Sequence, residues 1–209
     1  MNKPEIILVG GGGHCRSCID VVEQQGHYRI AGVLDLPEKI GQKVLGYPII
    51  GGDEDLPRLA KQYRYFLVTL GQIKSPARRV AIFEQLKGLG AQLPAIFSPR
   101  AYVSRHAIVG EGTIVMHGAL VNAGAQVGRN CIINTFCLLE HDAAIGDHCH
   151  ISTAAIINGG TAVAEKTFVG SNTVTREGIS IGTNCIIGGG VAVLQNIPCE
   201  TIFTGKKPS

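Results

Sequence analysis

The chain lacks any run of basic residues, and its formal net charge is only +3 with 17% of residues charged. Without a concentrated positive face it has no electrostatic footprint for nucleic acid or for an anionic membrane surface. No apolar stretch approaches the ~20 residues that a membrane-spanning helix needs. No charged-then-apolar leader precedes the first strand, because Met1 to Lys3 runs straight into it. The expected location is therefore the cytoplasm. Redox chemistry is thinly supported as well. Of the 7 cysteines, Cys131, Cys137, Cys149 and Cys185 share one slot of a repeat that alanine and threonine fill elsewhere, so they read as packing residues of suitable volume. Cys15 and Cys18 form a C-x-x-C, yet with Ile19 and Val22 they have helical spacing and read as one apolar face. An odd cysteine total suits a reducing compartment.

What the chain does have is a six-residue period, uninterrupted from Val103 to Pro198. Position one of each hexad is aliphatic from Val103 to Val193 except at Thr175, and position five is small from Ala107 to Thr173. One bulky aliphatic and one small residue per short unit is the pattern of a β-solenoid, whose units bury their faces only by stacking on one another. Residues 99–209 are accordingly expected to form an all-β parallel helix.

The first 98 residues follow a different period. Ile6 to Val9 reads as a strand, Gly10 to Gly13 as a tight turn, and the following residues to about Gln25 as an amphipathic helix. A second strand over 28–34 ends in Asp35. This is a βαβ unit whose glycine turn leaves free N–H groups at a helix N-terminus, a natural anion site. Asp35 stands where a ribose-binding acid sits in dinucleotide folds, but Cys15 replaces the third glycine of G-x-G-x-x-G, which favours a mononucleotide-sized ligand. Helices over 55–62 and 77–89 and strands over 65–70 and 93–97 complete a small parallel sheet of Rossmann-like type. Its carboxyl edge presents the glycine turn and Gly71. Residues 1–98 are expected to fold as a unit of their own.

Chemistry concentrates at Glu140-His141-Asp142, with His148 and His150 following. His141 occupies hexad position three, neither inward slot, and a neighbouring carboxylate could hold one ring nitrogen while leaving the other as a base. Three nearby histidines also raise a metal site, as in a metal-dependent hydratase. If three hexads make one coil, residues 18 apart stack, and the neighbours of His141 are then Ala123 and Gly159, neither of them a ligand. No metal is expected on that ground. Gly159 followed by Gly160 leaves a gap beside His141 instead. A sugar-nucleotide-binding scaffold without catalysis is the remaining alternative.

These motifs together carry a resemblance: the opening I-I-L-V-G-G-G-G-H at Ile6 to His14, the T-L-G at Thr69 to Gly71, the hexads, and E-H-D-A-A-I-G-D-H-C-H-I-S at Glu140 to Ser152. Over nearly its whole length the chain resembles the left-handed β-helix, or hexapeptide-repeat, sugar acetyltransferases, in the branch of sialic acid O-acetyltransferases and UDP-4-amino-sugar N-acetyltransferases. The resemblance implies a nucleotide-binding α/β domain before a triangular left-handed helix, and a homotrimer with acetyl-coenzyme A between subunits. It implies acetyl transfer to a bacterial sugar, most simply to the amine of a nucleotide-linked 4-amino sugar and alternatively to a hydroxyl of a sialic-acid-type sugar. Family matching makes His141 the general base and Asp142 its orienting acid. Gly11, Gly13, His14, Asp35, Gly71 and Asn134 match substrate-side positions, and His150, Gly159 and Gly170 match positions facing acetyl-coenzyme A. The chain departs from the family at Cys15, in the longer Gln72-Ile73-Lys74-Ser75-Pro76 segment, and at Gly205-Lys206-Lys207-Pro208, which only approximates the family's G-x-P-A ending.

Overall fold

A computed structural model describes residues 3–205, so Lys206 to Pro208 of the C-terminal ending lie outside the described residues. Strand β1 (Glu5–Val9) is buried along most of its length and feeds helix α1 (Gly13–Gln25), which stops at Gly26 in the left-handed conformation a helix C-terminus favours. The C-x-x-C face behaves as its spacing predicts. Cys15, Cys18, Ile19 and Val22 are fully buried, and burial holds the Cys15 thiol up at about 11, far from the thiolate that redox chemistry requires. Strand β2 (Arg29–Leu34) follows, then β3 (Lys43–Val44), β4 (Tyr47–Gly51), helix α2 (Leu56–Gln62), β5 (Tyr65–Val68) and helix α3 (Ala77–Gly88).

The sheet order is β3-β4-β2-β1-β5, parallel except where β3 and β4 form an antiparallel hairpin. That hairpin is not legible in the sequence. Its turn, Leu45-Gly46, takes positive φ at both residues (47° and 90°), as tight hairpins require, but lacks the Asn-Gly signature that would announce it. The strand expected over 93–97 is also reassigned. Ile96–Phe97 pairs in parallel with Ile114–Val115 and so belongs to the solenoid. The physical reason is register: Phe97 lies six residues before Val103 and packs against the solenoid core as a further position-one residue.

The two parts therefore share a core. α1 packs its apolar face on Ile96, Ile114, Met116 and Ile132, outward residues of the solenoid. Beside this shared cluster, residues 1–98 hold a core of their own that includes Ile7, Val9, Leu34, Phe66, Phe83 and Leu86. His117 strengthens the junction: its Nε2 donates to Asp20 on α1 (2.7 Å), and its Nδ1 accepts from the Ser98 hydroxyl (2.5 Å).

The solenoid is a left-handed parallel β-helix of two-residue strands arranged on three faces. The first face runs from Ile96–Phe97 to Ile202–Phe203, the second from Tyr102–Val103 to Ala192–Val193, and the third from Ile108–Val109 to Ser180–Ile181. Residues 18 apart pair, as Leu120 with Leu138 and Val121 with Leu139. Position-one residues fill the interior, where Val121, Leu139 and Ile157 are completely buried. Every sixth residue from Gly112 to Gly190, hexad position four, has φ between 53° and 76°. Glycine and asparagine suit that conformation and Asp142 and His148 tolerate it, whereas Phe136, Ala154 and Lys166 adopt it against preference, a cost of about 1 kcal/mol or more each. The stack holds them there. Asp142 and His148 donate their N–H to the carbonyls of Ala123 and Arg129 one coil earlier (3.2 and 2.8 Å).

Position five does more than fill volume. Thr113, Thr161, Thr167 and Thr173 each donate their hydroxyl to a carbonyl 15 residues on, at 2.7–2.9 Å, and Cys131, Cys137 and Cys149 point their thiols at the equivalent carbonyls. The slot selects a small side chain, and where that side chain carries a donor it bonds the next coil. The hexads end earlier than Pro198. Ile197 pairs with Ile181 and Ile202 with Ile186, each 16 residues apart, so the coil after Val193 is two residues short. Cys185 reports the same deletion by reaching Pro198, 13 residues on.

Candidate functional site

A cavity of about 420 Å³ opens where the carboxyl edge of the α/β sheet meets the solenoid. One wall comes from the α/β part, with Gly12, Gly13 and His14 at the start of α1 and Thr69 to Ile73 after β5; the other is the solenoid's Asn134 and His150. Five residues expected from the sequence thus converge: Gly13, His14, Gly71, Asn134 and His150. The start of α1 carries no acidic residue in its first turn and no side-chain cap, and nothing stands within 4 Å of a Cβ placed on Gly12 or Gly13. Its N–H groups and dipole face open space suited to an anion.

The polar groups here are oriented by one another. His150 Nδ1 lies 2.6 Å from the Gln72 carbonyl, which can only accept, so that nitrogen carries the proton. Its Nε2 then accepts from the Asn134 amide at 3.1 Å, and Asn134 Oδ1 takes the Thr135 N–H at 2.8 Å. Burial holds the His150 pKa down at about 4, with the hydrogen bond to Gln72 opposing and the Arg79 charge assisting. His14 is pushed to about 3, chiefly by burial and further by Arg79 and His150. Both rings are neutral at physiological pH. Two buried atoms near this cavity, His14 Nε2 and Gln72 Oε1, have no protein partner, an expensive condition unless a ligand or water satisfies them.

Gly11 and Asp35 adjoin each other, and neither lines the cavity. A Cβ on Gly11 would lie 2.7 Å from Asp35 Oδ2, so glycine here makes room for the carboxylate. Asp35 is engaged within the chain by Lys39 Nζ (2.9 Å) and the Leu36 N–H (2.9 Å).

His141 and Asp142 stand elsewhere, at the corner after the second-face strand Leu138–Leu139, and both are exposed. Asp142 Oδ2 accepts from His141 Nδ1 at 3.0 Å, leaving Nε2 with its lone pair free. The Asp142 hydrogen bond, opposed by a smaller desolvation and aided by the charges of Asp142 and Glu140, raises the His141 pKa above its ordinary value. Glu140 is itself steadied by the Asn122 amide at 2.9 Å. Two glycines frame the pair. A Cβ on Gly159, one coil on, would sit 2.7 Å from both His141 Nε2 and Cε1, and a Cβ on Gly124, one coil back, would collide with Asp142 Oδ1. Gly124 is missed by the sequence reading, although the 18-residue stack points to it.

Gly170 is a stacking position. A Cβ there would lie 2.5 Å from the backbone nitrogen of Gly189 and 2.6 Å from the Gly188 carbonyl carbon, neither able to yield cheaply. Gly170→Ala is expected to destabilise the fold by about 1–3 kcal/mol, read as a fall in Tm. An unchanged Tm would show that the coils can part there. No group of three or more metal-ligating side chains comes together among the described residues, and no described helix is long and apolar enough to cross a membrane.

Comparisons with known proteins extend this picture. The PglD N-terminal domain family matches residues 5–86. The acetyltransferase domain of PglB from Neisseria gonorrhoeae FA1090 superposes with a TM-score of 0.89 at 28% identity, covering 97% of each chain, and its structure in complex with acetyl coenzyme A gives 0.87 with the same identity and coverage. PerB from Caulobacter crescentus, in complex with CoA and GDP-perosamine, gives 0.86 at 30% identity over 93% of this chain and 91% of that one. WeeI from Acinetobacter baumannii AYE, at 19% identity and 0.84, shares the fold. No curated protein matches the chain by sequence.

Proposed function

The chain belongs to the hexapeptide-repeat sugar acetyltransferases and is an acetyl-coenzyme A-dependent enzyme, and from that premise we propose that it acetylates the amine of a nucleotide-linked 4-amino sugar with His141 as general base. The observation that carries this reading is the dyad: Nδ1 of His141 is held by Asp142 and Nε2 is free beside Gly159. A relative 30% identical holds CoA together with GDP-perosamine, which supports an amino-sugar nucleotide as acceptor. His141 takes a proton from the attacking amine, the nitrogen adds to the thioester carbonyl, and the tetrahedral intermediate collapses to the amide and the coenzyme A thiolate. The imidazolium returns the proton to sulfur. General-base help of this kind is worth ~10²–10⁴ in rate.

The cavity takes the acceptor, its diphosphate at the start of α1 and its sugar towards Asn134. Gly159 flanks the acyl donor, beside a groove of about 730 Å³ along the third face that includes Ala144, Gly146, Ala162 and Ser180. Within one chain the cavity and His141 lie at different corners of the solenoid, so a neighbouring subunit is needed to bring donor, base and acceptor together. The outward residues of the second face support a homotrimer. They run Tyr102, Leu120, Leu138, Ile156, Val174 and Ala192, apolar throughout, with Tyr102 60% exposed. Buried free thiols and these substrates suit the cytoplasm.

The test is turnover of acetyl-coenzyme A by the purified protein with a panel of UDP- and GDP-linked 4-amino sugars and free sialic acids. Acetylation of the amino sugars supports the reading, and acetylation confined to sialic acids would move the assignment to O-acetylation. The pH profile gives a further check. The base works unprotonated, so activity falls as pH drops through the raised His141 pKa. Asp142→Asn removes the charge that raises it and should move the acid limb of kcat/KM to lower pH while reducing the plateau. An acid limb that stays in place would separate Asp142 from the base.

A further inference from the structure

Arg79 is the largest fully buried side chain in the described structure, and no carboxylate pairs with it among the described residues. A charge so placed ordinarily needs a partner. Arg79 has carbonyl oxygens instead: Nη1 donates to Val68 (2.8 Å) and Leu70 (2.9 Å), and Nε and Nη2 both donate to Asn130 (3.3 and 3.2 Å). The Asn130 amide answers with a weak bond to the Arg79 carbonyl at 3.5 Å.

These acceptors are not neighbours in the chain. Val68 ends β5, an edge strand of the sheet, and Leu70 follows it in the Leu70 to Ile73 wall of the cavity. Asn130 belongs to a solenoid corner just before the strand that delivers Asn134 to the opposite wall. One planar guanidinium thus ties both walls, and its fork satisfies edge-strand carbonyls that a compact ammonium could not reach together. The carbonyl bonds offset desolvation but do not neutralise the charge. Its field reaches the cavity, since it helps keep His14 and His150 unprotonated. With the uncapped start of α1 at the same cavity, two independent sources of positive potential converge where no acidic side chain lines the wall.

We infer that Arg79 is a positioning residue that locks the two walls of the acceptor cavity and supplies the fixed positive charge by which the cavity takes a diphosphate. This rests on the reading above that the cavity binds the acceptor nucleotide. Arg79 touches no reacting atom and acts through the Leu70 to Gln72 segment and through its field.

The experiment is calorimetric titration of the full chain with inorganic pyrophosphate, combined with steady-state kinetics, for wild type, Arg79→Met and Arg79→Lys. Arg79→Met should weaken pyrophosphate binding at least about tenfold and raise the KM of the amino-sugar nucleotide in parallel, while the KM of acetyl-coenzyme A stays within about twofold. Arg79→Lys keeps the charge and loses the fork. It should bind pyrophosphate nearly as wild type does, yet raise the acceptor KM at least about fivefold because the walls are no longer held together. If Arg79→Met does not fold, Arg79→Lys decides alone, and a wild-type acceptor KM in that variant overturns the inference. Wild-type pyrophosphate affinity in Arg79→Met overturns it too, as does an equal rise in both KM values, the mark of a purely structural role. Failure of the wild type itself to bind pyrophosphate would instead overturn the assignment of the cavity to the nucleotide, and the inference with it.

Discussion

His141→Ala is expected to lower kcat by at least about 10²-fold while leaving the KM of acetyl-coenzyme A and the thermal stability close to wild type. The ring is exposed, and its side-chain bonds are to Asp142, so its removal leaves no cavity and no buried unpaired group. What disappears is the proposed proton acceptor. Asn134 and His150 cannot replace it, because His150 Nε2 already accepts from Asn134, and burial holds its pKa at about 4. Rapid-quench or continuous measurement of coenzyme A release with a turned-over acceptor checks this. A variant retaining more than a tenth of wild-type kcat would take His141 out of the chemistry.

Gly159→Ala should have the second largest effect, with a cause that differs from the sequence expectation. From the stack alone, Gly159 leaves room for the acyl donor. The structure adds that a single methyl at 159 would stand 2.7 Å from His141 Nε2, the nitrogen that receives the proton in the proposed mechanism. Gly159 has an ordinary backbone conformation, absent from the residues with positive φ, so alanine brings no strain of its own. The yielding atom belongs to an exposed ring, which can swing aside at little cost to stability. The fold should survive with Tm nearly unchanged, while kcat falls by about 10–10²-fold because the base is displaced by about an ångström. Gly159→Leu should add a rise in the KM of acetyl-coenzyme A. Unchanged kcat in Gly159→Ala would mean that His141 works from a different position.

The hexad period is legible because a parallel solenoid imposes one local rule at every coil. An aliphatic residue must point inward at position one, and the rule leaves a mark every six residues. Stacking at 18 residues follows from it, so the spacing alone puts Gly159 beside His141. The glycine turn, α1 and most of the parallel sheet are legible for a similar reason, since turn chemistry and helical or strand periodicity are local. The β3–β4 hairpin is not, because Leu45-Gly46 makes the turn without the usual residues. Ile96–Phe97 reads as part of the wrong sheet because a two-residue strand carries no period by which to choose a partner. The early end at Ile197 is hidden because an isoleucine reads equally well at position five or position one.

Arg79 is visible in the sequence only as an anomaly. It lies in the buried stripe Arg79, Ile82, Phe83 and Leu86 of α3, where a charged residue is out of place. The pattern says that such a residue needs a reason, but its three carbonyl partners come from two distant segments that only packing brings together. The same holds at the His141–Asp142 corner and the cavity. Local periodicity and motif suffice for the solenoid, the glycine turn and the candidates His141, Asp142 and His150, while His14 and Asn134 enter through the family resemblance. Packing settles which of them meet: His14 with Asn134 and His150 in one cavity, His141 and Asp142 at another corner, Gly170 in the stack rather than in open space. Those outcomes depend on distances between segments far apart in the chain, fixed by the docking of α1 and α3 on the solenoid, and no local pattern encodes a distance of that kind.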